Sequence, residues 1–202
     1  MAWFDRSRHE GEAQNSARFC RLTYTVKKPI VLVGMMGAGK SAVGRTLAQS
    51  LGVAFLDVDH EIERAAAMSI AEVFERDGEP FFRARETEVL HRLMESGPAV
   101  ISTGGGAFLA EHNRKLMHDE GVSVWLRADL ELLWERVRHK ATRPLLHTPD
   151  PKGTLSALYD ARVQIYALAD LVVDAHPTYT LGQMTKQVIR VLKTRPDVLE
   201  SA

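Results

Sequence analysis

The chain has 202 residues, 45% of them apolar and 26% charged, enough for one substantial core and for one domain or two small ones. Lys plus Arg equals Asp plus Glu at 26 each, so no bulk field favours nucleic acid or an anionic membrane surface. The single cysteine, Cys20, forbids an internal disulfide, and no apolar run approaches the roughly 20 residues that span a bilayer, so a cytoplasmic protein is expected.

The first 28 residues mix charges of both signs and lack the apolar stretch of a signal peptide. Residues 1–25 read as a loosely ordered extension without chemistry, and 26–202 as one domain. "PIVLVG" at 29–34 is a short β-rich run with a glycine stop, and the following "KSAVGRTLAQSL" places Val43, Leu47 and Leu51 at helical spacing. The alternation recurs at "VAFLD" (53–57), "AVIST" (99–103), "VSVWL" (122–126) and "DLVVDA" (170–175). Five short apolar strands separated by helices predict a parallel α/β sheet.

Two helix starts are marked between the second and third strands. "SIAE" (69–72) is a capping box, and Pro80 stands where a first turn tolerates proline. The segment 139–153, "HKATRPLLHTPDPKG", reads as a mobile lid between two helices. No internal repeat is present. Without an obvious assembly face, a monomer is the default.

"GMMGAGKS" fits G-x-x-x-x-G-K-[ST] from Gly34 to Ser41, after a predicted strand and at the start of a predicted helix. In such a loop the backbone from Gly37 through Ala38, Gly39, Lys40, Ser41 and Ala42 turns its N–H groups towards phosphate oxygens, helped by the helix N-terminus. Lys40 reaches the β and γ phosphates, and the Ser41 hydroxyl holds Mg²⁺. The motif points to a purine triphosphate and leaves ATPase, GTPase and kinase open.

"FLDVDHEIE" (55–63) puts Asp57 and Asp59 at the end of the second strand, where open α/β sheets bind ligands. One carboxylate can orient water around Mg²⁺ while the other accepts a proton from a substrate hydroxyl. The plainer alternative makes Asp59 a helix N-cap and leaves Asp57 solvated. Beside a phosphate loop the catalytic reading gains.

In "FERDGEPFFRARE" (74–86), Arg83 and Glu86 are i,i+3 partners. They form either an exposed ion pair or a carboxylate clamp in which Glu86 steadies the guanidinium, and spacing alone favours the pair. Phe74 and Phe82 either wall that pocket or belong to the core. "ISTGGGAF" ends the third strand in Gly104, Gly105 and Gly106, which permit close backbone approach to a ligand. Ser102 stands at the usual position of a Walker B acid, and its hydroxyl can hold a water of the Mg²⁺ shell. Arg136 lies on a helix face, Arg143 in the lid before Pro144, and Arg162 on a later helix; a lid arginine can stabilise a transferring phosphoryl group.

In this order, "GMMGAGKS", "FLDVDHEIE", "SIAEVFERDGEPFFRARE", "STGGGAF", "TRPLL" and "RVQIYALAD" resemble shikimate kinase, of the nucleoside monophosphate kinase-like P-loop superfamily, from about Ile30 to Asp174. The resemblance implies a five-stranded parallel sheet of order 2-3-1-4-5 flanked by helices and closed by a lid. It also implies transfer of the ATP γ-phosphoryl to the 3-hydroxyl of shikimate, on the way to chorismate and the aromatic amino acids. Asp59 then binds the acceptor hydroxyl and serves as its base, while Ser41, with Asp57 and Ser102 through water, serves Mg²⁺. Arg83 and Arg162 grip the shikimate carboxylate, Gly104, Gly105 and Gly106 offer backbone to the ring, Arg143 acts on the phosphates and Arg136 packs near adenine.

The chain departs from the family at Ala42, where a second hydroxyl residue is usual, and at Gln164, where a proline often follows the substrate arginine. The lid matches only at "RPLL". Two competing readings are another small-molecule kinase of the superfamily, gluconate kinase-like, and a non-catalytic ATP-binding module. Retention of Lys40, Asp59 and Arg83 argues against the second.

Overall fold

Tyr24–Val26 (β1) precedes Ile30–Val33 (β2), whose four side chains are wholly buried, as a central parallel strand covered on both faces requires. Ala54–Asp57 (β3), Ala99–Ser102 (β4), Val122–Arg127 (β5) and Leu171–Asp174 (β6) complete one five-stranded sheet, and Leu199–Ser201 (β7) closes the strand list. The sheet order is β3-β4-β2-β5-β6 with every neighbouring pair parallel. Counted over these five strands alone, that is the expected order 2-3-1-4-5. The register sets Leu32 beside Ser102 and Asp57 beside Ser102, so the carboxyl ends of β2, β3 and β4 finish side by side.

The computed structural model describes residues 24–139, 146 and 148–201. Arg143 lies outside them, as do 140–145 and 147 of the expected lid and 1–23 of the expected extension. Residues 24 and 25, assigned to that extension from sequence, instead belong to β1, which pairs antiparallel with β7, Val26 opposite Leu199. The far end of the domain supplies the partner, so no local pattern announced the strand.

Helices connect the sheet strands. Lys40–Leu51 (α1) buries Val43, Leu47 and Leu51, the three positions its spacing singled out. Val58–Ala66 (α2) follows β3 with no intervening loop. Ile70–Glu95 (α3) starts at the Ser69–Glu72 capping box, with both reciprocal bonds formed. It is broken at Gly78 (φ 80°, ψ 171°), so that Pro80 stands in the first turn of the second segment, where its missing N–H costs nothing. Glu111–Glu120 (α4), Leu130–Val137 (α5), Pro151–Tyr166 (α6) and Leu181–Leu192 (α7) follow. Asp150 caps α6 by accepting from Gly153 N–H at 2.9 Å, so residues 151–153, expected in the lid, form the first turn of a helix.

Candidate active site

The turn between β2 and α1 is the phosphate loop in shape as well as sequence. Gly39 is the N-cap of α1 at φ 97°, a left-handed conformation that an L side chain rarely adopts, and it lets the chain enter the helix with its N–H groups facing outward. Lys40, only 9% exposed, donates from Nζ to the carbonyls of Gly34 at 2.7 Å and Met35 at 3.0 Å. Its ammonium is thereby folded back over its own loop, at the floor of the turn where phosphates would enter.

Ser41, Asp57 and Ser102 converge beside it. Ser41 Oγ donates to Asp57 Oδ2 at 2.8 Å and lies 3.2 Å from Ser102 Oγ. Asp57 occupies the N-cap position of α2, yet its carboxylate makes no cap bond. It turns to Ser41 instead. These are hard oxygen donors, few enough to leave most of an octahedral shell to water and phosphate, which is the way Mg²⁺ is usually bound. Among the described residues no cluster of three or more His, Cys, Asp or Glu side chains could hold a metal alone.

Asp59 lies in the first turn of α2 rather than at its cap, which removes the plainer alternative for that residue. It lines a cleft of about 540 Å³ together with Gly37, Ala38, Gly39, Lys40, Ser41 and Ala42 on one side and Gly104 and Gly105 on another. A Cβ built on Gly104 would sit 2.8 Å from Asp59 Oδ1 and 2.7 Å from Glu86 Oε1, so two carboxylates close on the glycine triad from one side.

Arginines close on it from others. Arg83 lies so near Gly106 that a Cβ there would fall 2.2 Å from its Nη1, and Arg162 Nη1 would be 3.8 Å from a Cβ on Gly105. The two guanidiniums, 79 residues apart in sequence, thus flank consecutive glycines. Arg83 donates from Nη1 to Glu86 and from Nε and Nη2 to Glu79. Burial works against its charge, but Glu86 and Glu79 outweigh it and hold the guanidinium above its ordinary pKa. Glu86 is 1% exposed, and burial lifts its carboxyl above the ordinary range against the pull of Arg83, with Asp59 pushing the same way as burial.

Arg136, on α5, donates to the carbonyls of Gly37 and Ala38, both at 3.3 Å, and lines the same cleft. Burial lowers its pKa, opposed by Asp129. Phe82 is 3% exposed and Phe74 partly buried; their rings pair at 4.6 Å, and Phe82 lies under the Arg83 guanidinium at 5.1 Å, which places the aromatic pair beside the expected acceptor arginine.

Sequence reasoning missed Tyr179, Thr180, Leu181 and Met184, which complete the rim of the cleft together with His176, whose ring lies 5.4 Å from that of Tyr179. The available signal was the apolar pair Tyr179 and Leu181 at the start of an amphipathic helix. Tyr166 was missed as well; its hydroxyl donates to the Gly105 carbonyl from the end of α6.

The family model for shikimate kinase matches residues 36–193. A shikimate kinase from Ruegeria pomeroyi is 64% identical over 173 residues, which cover 86% of this chain and 89% of its own. One from Cereibacter sphaeroides is 61% identical over 176 residues, covering 87% and 88%. Among solved structures, the shikimate kinase from Acinetobacter baumannii in complex with shikimate superposes with a TM-score of 0.78 at 36% identity, covering 83% of this chain and 94% of that one.

Proposed function

Since the chain belongs to the shikimate kinase family and transfers the γ-phosphoryl group of ATP to the 3-hydroxyl of shikimate, we propose how its own residues divide that work. The observation that carries the proposal is the position of Asp59, which faces the phosphate loop across one cleft with the glycine triad beside both. A carboxylate there can accept the proton of a hydroxyl while the oxygen is aligned on a γ-phosphorus held by the loop.

ATP lies with its phosphates on the turn from Gly37 to Ala42, Lys40 leaving its carbonyl partners for the β and γ oxygens, and Arg136 standing towards the adenine end with the His176 and Tyr179 rim. Ser41 would hold Mg²⁺ directly, with Asp57 and Ser102 acting through water, and the hydrogen bonds among the three support this. The ion would supply positive charge against the charge that builds on the phosphates during transfer. Shikimate sits on the opposite wall. Arg83 and Arg162 take its carboxylate, the backbone of Gly104, Gly105 and Gly106 meets the ring, and Asp59 takes the proton of the 3-hydroxyl. As the new O–P bond forms, the bond from phosphorus to the ADP oxygen breaks, and shikimate 3-phosphate and ADP result.

Arg143 belongs to the same proposal as the residue that reaches the phosphates from the lid, on the strength of "RPLL" alone. So do a monomeric state and a cytoplasmic location, supported by two small water-soluble substrates and by a neutral charge balance without bias towards nucleic acid or membrane. Among the described residues no helix is long and apolar enough to cross a membrane.

The test is ADP release in ATP and Mg²⁺ with shikimate, gluconate, AMP or no acceptor. Turnover with shikimate alone is expected. Equal turnover with gluconate or AMP would overturn the acceptor wall assigned to Arg83, Arg162 and the glycines.

A further inference from the structure

Among the described residues Tyr166 is the largest fully buried side chain, 1% exposed, with its ring stacked on Phe108 at 6.3 Å and on Trp125 at 6.0 Å. Those stacking contacts need only a ring, and a phenylalanine would make them equally well. The hydroxyl is therefore present for another reason. A buried hydroxyl must find a hydrogen-bond partner, and this one finds it at the acceptor wall. It donates to the Gly105 carbonyl, and the Arg162 guanidinium, one helical turn earlier on α6, lies beside it: a Cβ built on Gly105 would sit 3.7 Å from the Tyr166 hydroxyl and 3.8 Å from Arg162 Nη1.

The consequence for the wall is geometric. A planar trans peptide whose carbonyl is held towards Tyr166 must point the N–H of Gly106 the opposite way, and Gly106 is the residue on which Arg83 lies. The same hydroxyl also stands beside one end of Arg162, since both groups approach Gly105 from the same side. One phenol thus orients two elements of the wall, the glycine peptide and the arginine fork.

We propose that Tyr166 is a positioning residue for the acceptor, its hydroxyl fixing Arg162 and the Gly105–Gly106 peptide in the arrangement that receives the shikimate carboxylate. The proposal rests on Arg162 being an acceptor ligand. It predicts a loss confined to the acceptor side, because the hydroxyl's hydrogen bond goes to the glycine wall.

The experiment is a double-mutant cycle of Tyr166→Phe and Arg162→Ala in the full chain, with kcat and both KM values measured for each variant. Tyr166→Phe is expected to raise the shikimate KM about ten-fold, the size of one lost charge-assisted bond, with kcat and the ATP KM within about two-fold. On the Arg162→Ala background the same change should add less than about three-fold. A merely structural hydroxyl would move both KM values together or neither, and either outcome overturns the proposal. A Tyr166→Phe effect that persists in full without Arg162 overturns the route through that arginine. An Arg162→Ala variant with an unchanged shikimate KM overturns the ligand assignment beneath it, whereas a strong Arg162→Ala effect beside a silent Tyr166→Phe refutes Tyr166 alone.

Discussion

Arg83 donates from Nη1 to Glu86 Oε2 at 2.8 Å, and the two partners differ sharply in exposure, 30% for the guanidinium and 1% for the carboxylate. One edge of the fork is thus anchored in the core while the rest reaches the surface beside Gly106. A surface i,i+3 pair of this kind would be worth a few tenths of a kcal/mol; a half-buried one aimed at a glycine wall acts as a mount. Arg83→Ala is therefore expected to raise the shikimate KM by roughly 30- to 200-fold, about 2–3 kcal/mol for a charge-assisted carboxylate pair, with the ATP KM nearly unchanged. Steady-state kinetics with each substrate varied in turn reads this, and a rise in the ATP KM instead would remove Arg83 from the acceptor wall.

The other edge of the same guanidinium is held by Glu79, which accepts from Nε at 3.2 Å and Nη2 at 2.9 Å and is itself 61% exposed. If the substrate carboxylate takes that same Nε–Nη2 edge, Glu79 competes with it for the guanidinium. Displacing an exposed partner costs less than about 1 kcal/mol, so Glu79→Gln is expected to lower the shikimate KM by about two- to five-fold. A higher KM in that variant would mean that Glu79 holds Arg83 in place and does not compete for it.

Tyr166 also supplies a pH signature. Burial pushes its phenol from 10.0 up to about 12, with Arg162 pulling it down less strongly. A phenol whose pKa is higher in the folded chain stabilises the fold fully below the unfolded value near 10. That contribution is lost as the pH rises towards 12, and two units amount to about 3 kcal/mol. Urea unfolding from pH 8 to 12 is expected to show a steeper alkaline decline in the native chain than in Tyr166→Phe. Parallel declines would mean that the phenol is not buried as described.

What was legible in the sequence was local. Val43, Leu47 and Leu51 announced α1 by spacing, Ser69 and Glu72 announced α3, and the apolar run 30–33 announced a central strand, because each depends on residues within one or two turns of itself. The P-loop was legible because its chemistry needs contiguous residues. The β1–β7 ribbon was not, since Tyr24 and Ser201 meet only through the whole fold. Neither was the bond from Tyr166 to Gly105 across 61 residues, nor the rim from Tyr179 to Met184, which the turn before α7 and its first residues bring to the cleft. Helical spacing at Phe74 and Phe82 fits a core and a pocket wall equally well, so the place of the pair beside Arg83 was not legible either.

The most direct test concerns Asp59, on which the assignment of the whole cleft turns. Asp59→Asn keeps the shape of the side chain and removes the proton acceptor. Single-turnover phosphorylation of shikimate with saturating ATP and Mg²⁺, together with ATP binding measured separately, is expected to show a rate lower by about 10²- to 10⁴-fold and an ATP affinity within about three-fold of the native chain. A rate within a few-fold of the native chain would contradict the role of Asp59 as base, and with it the central claim that this cleft joins a phosphate loop to an acceptor-activating carboxylate.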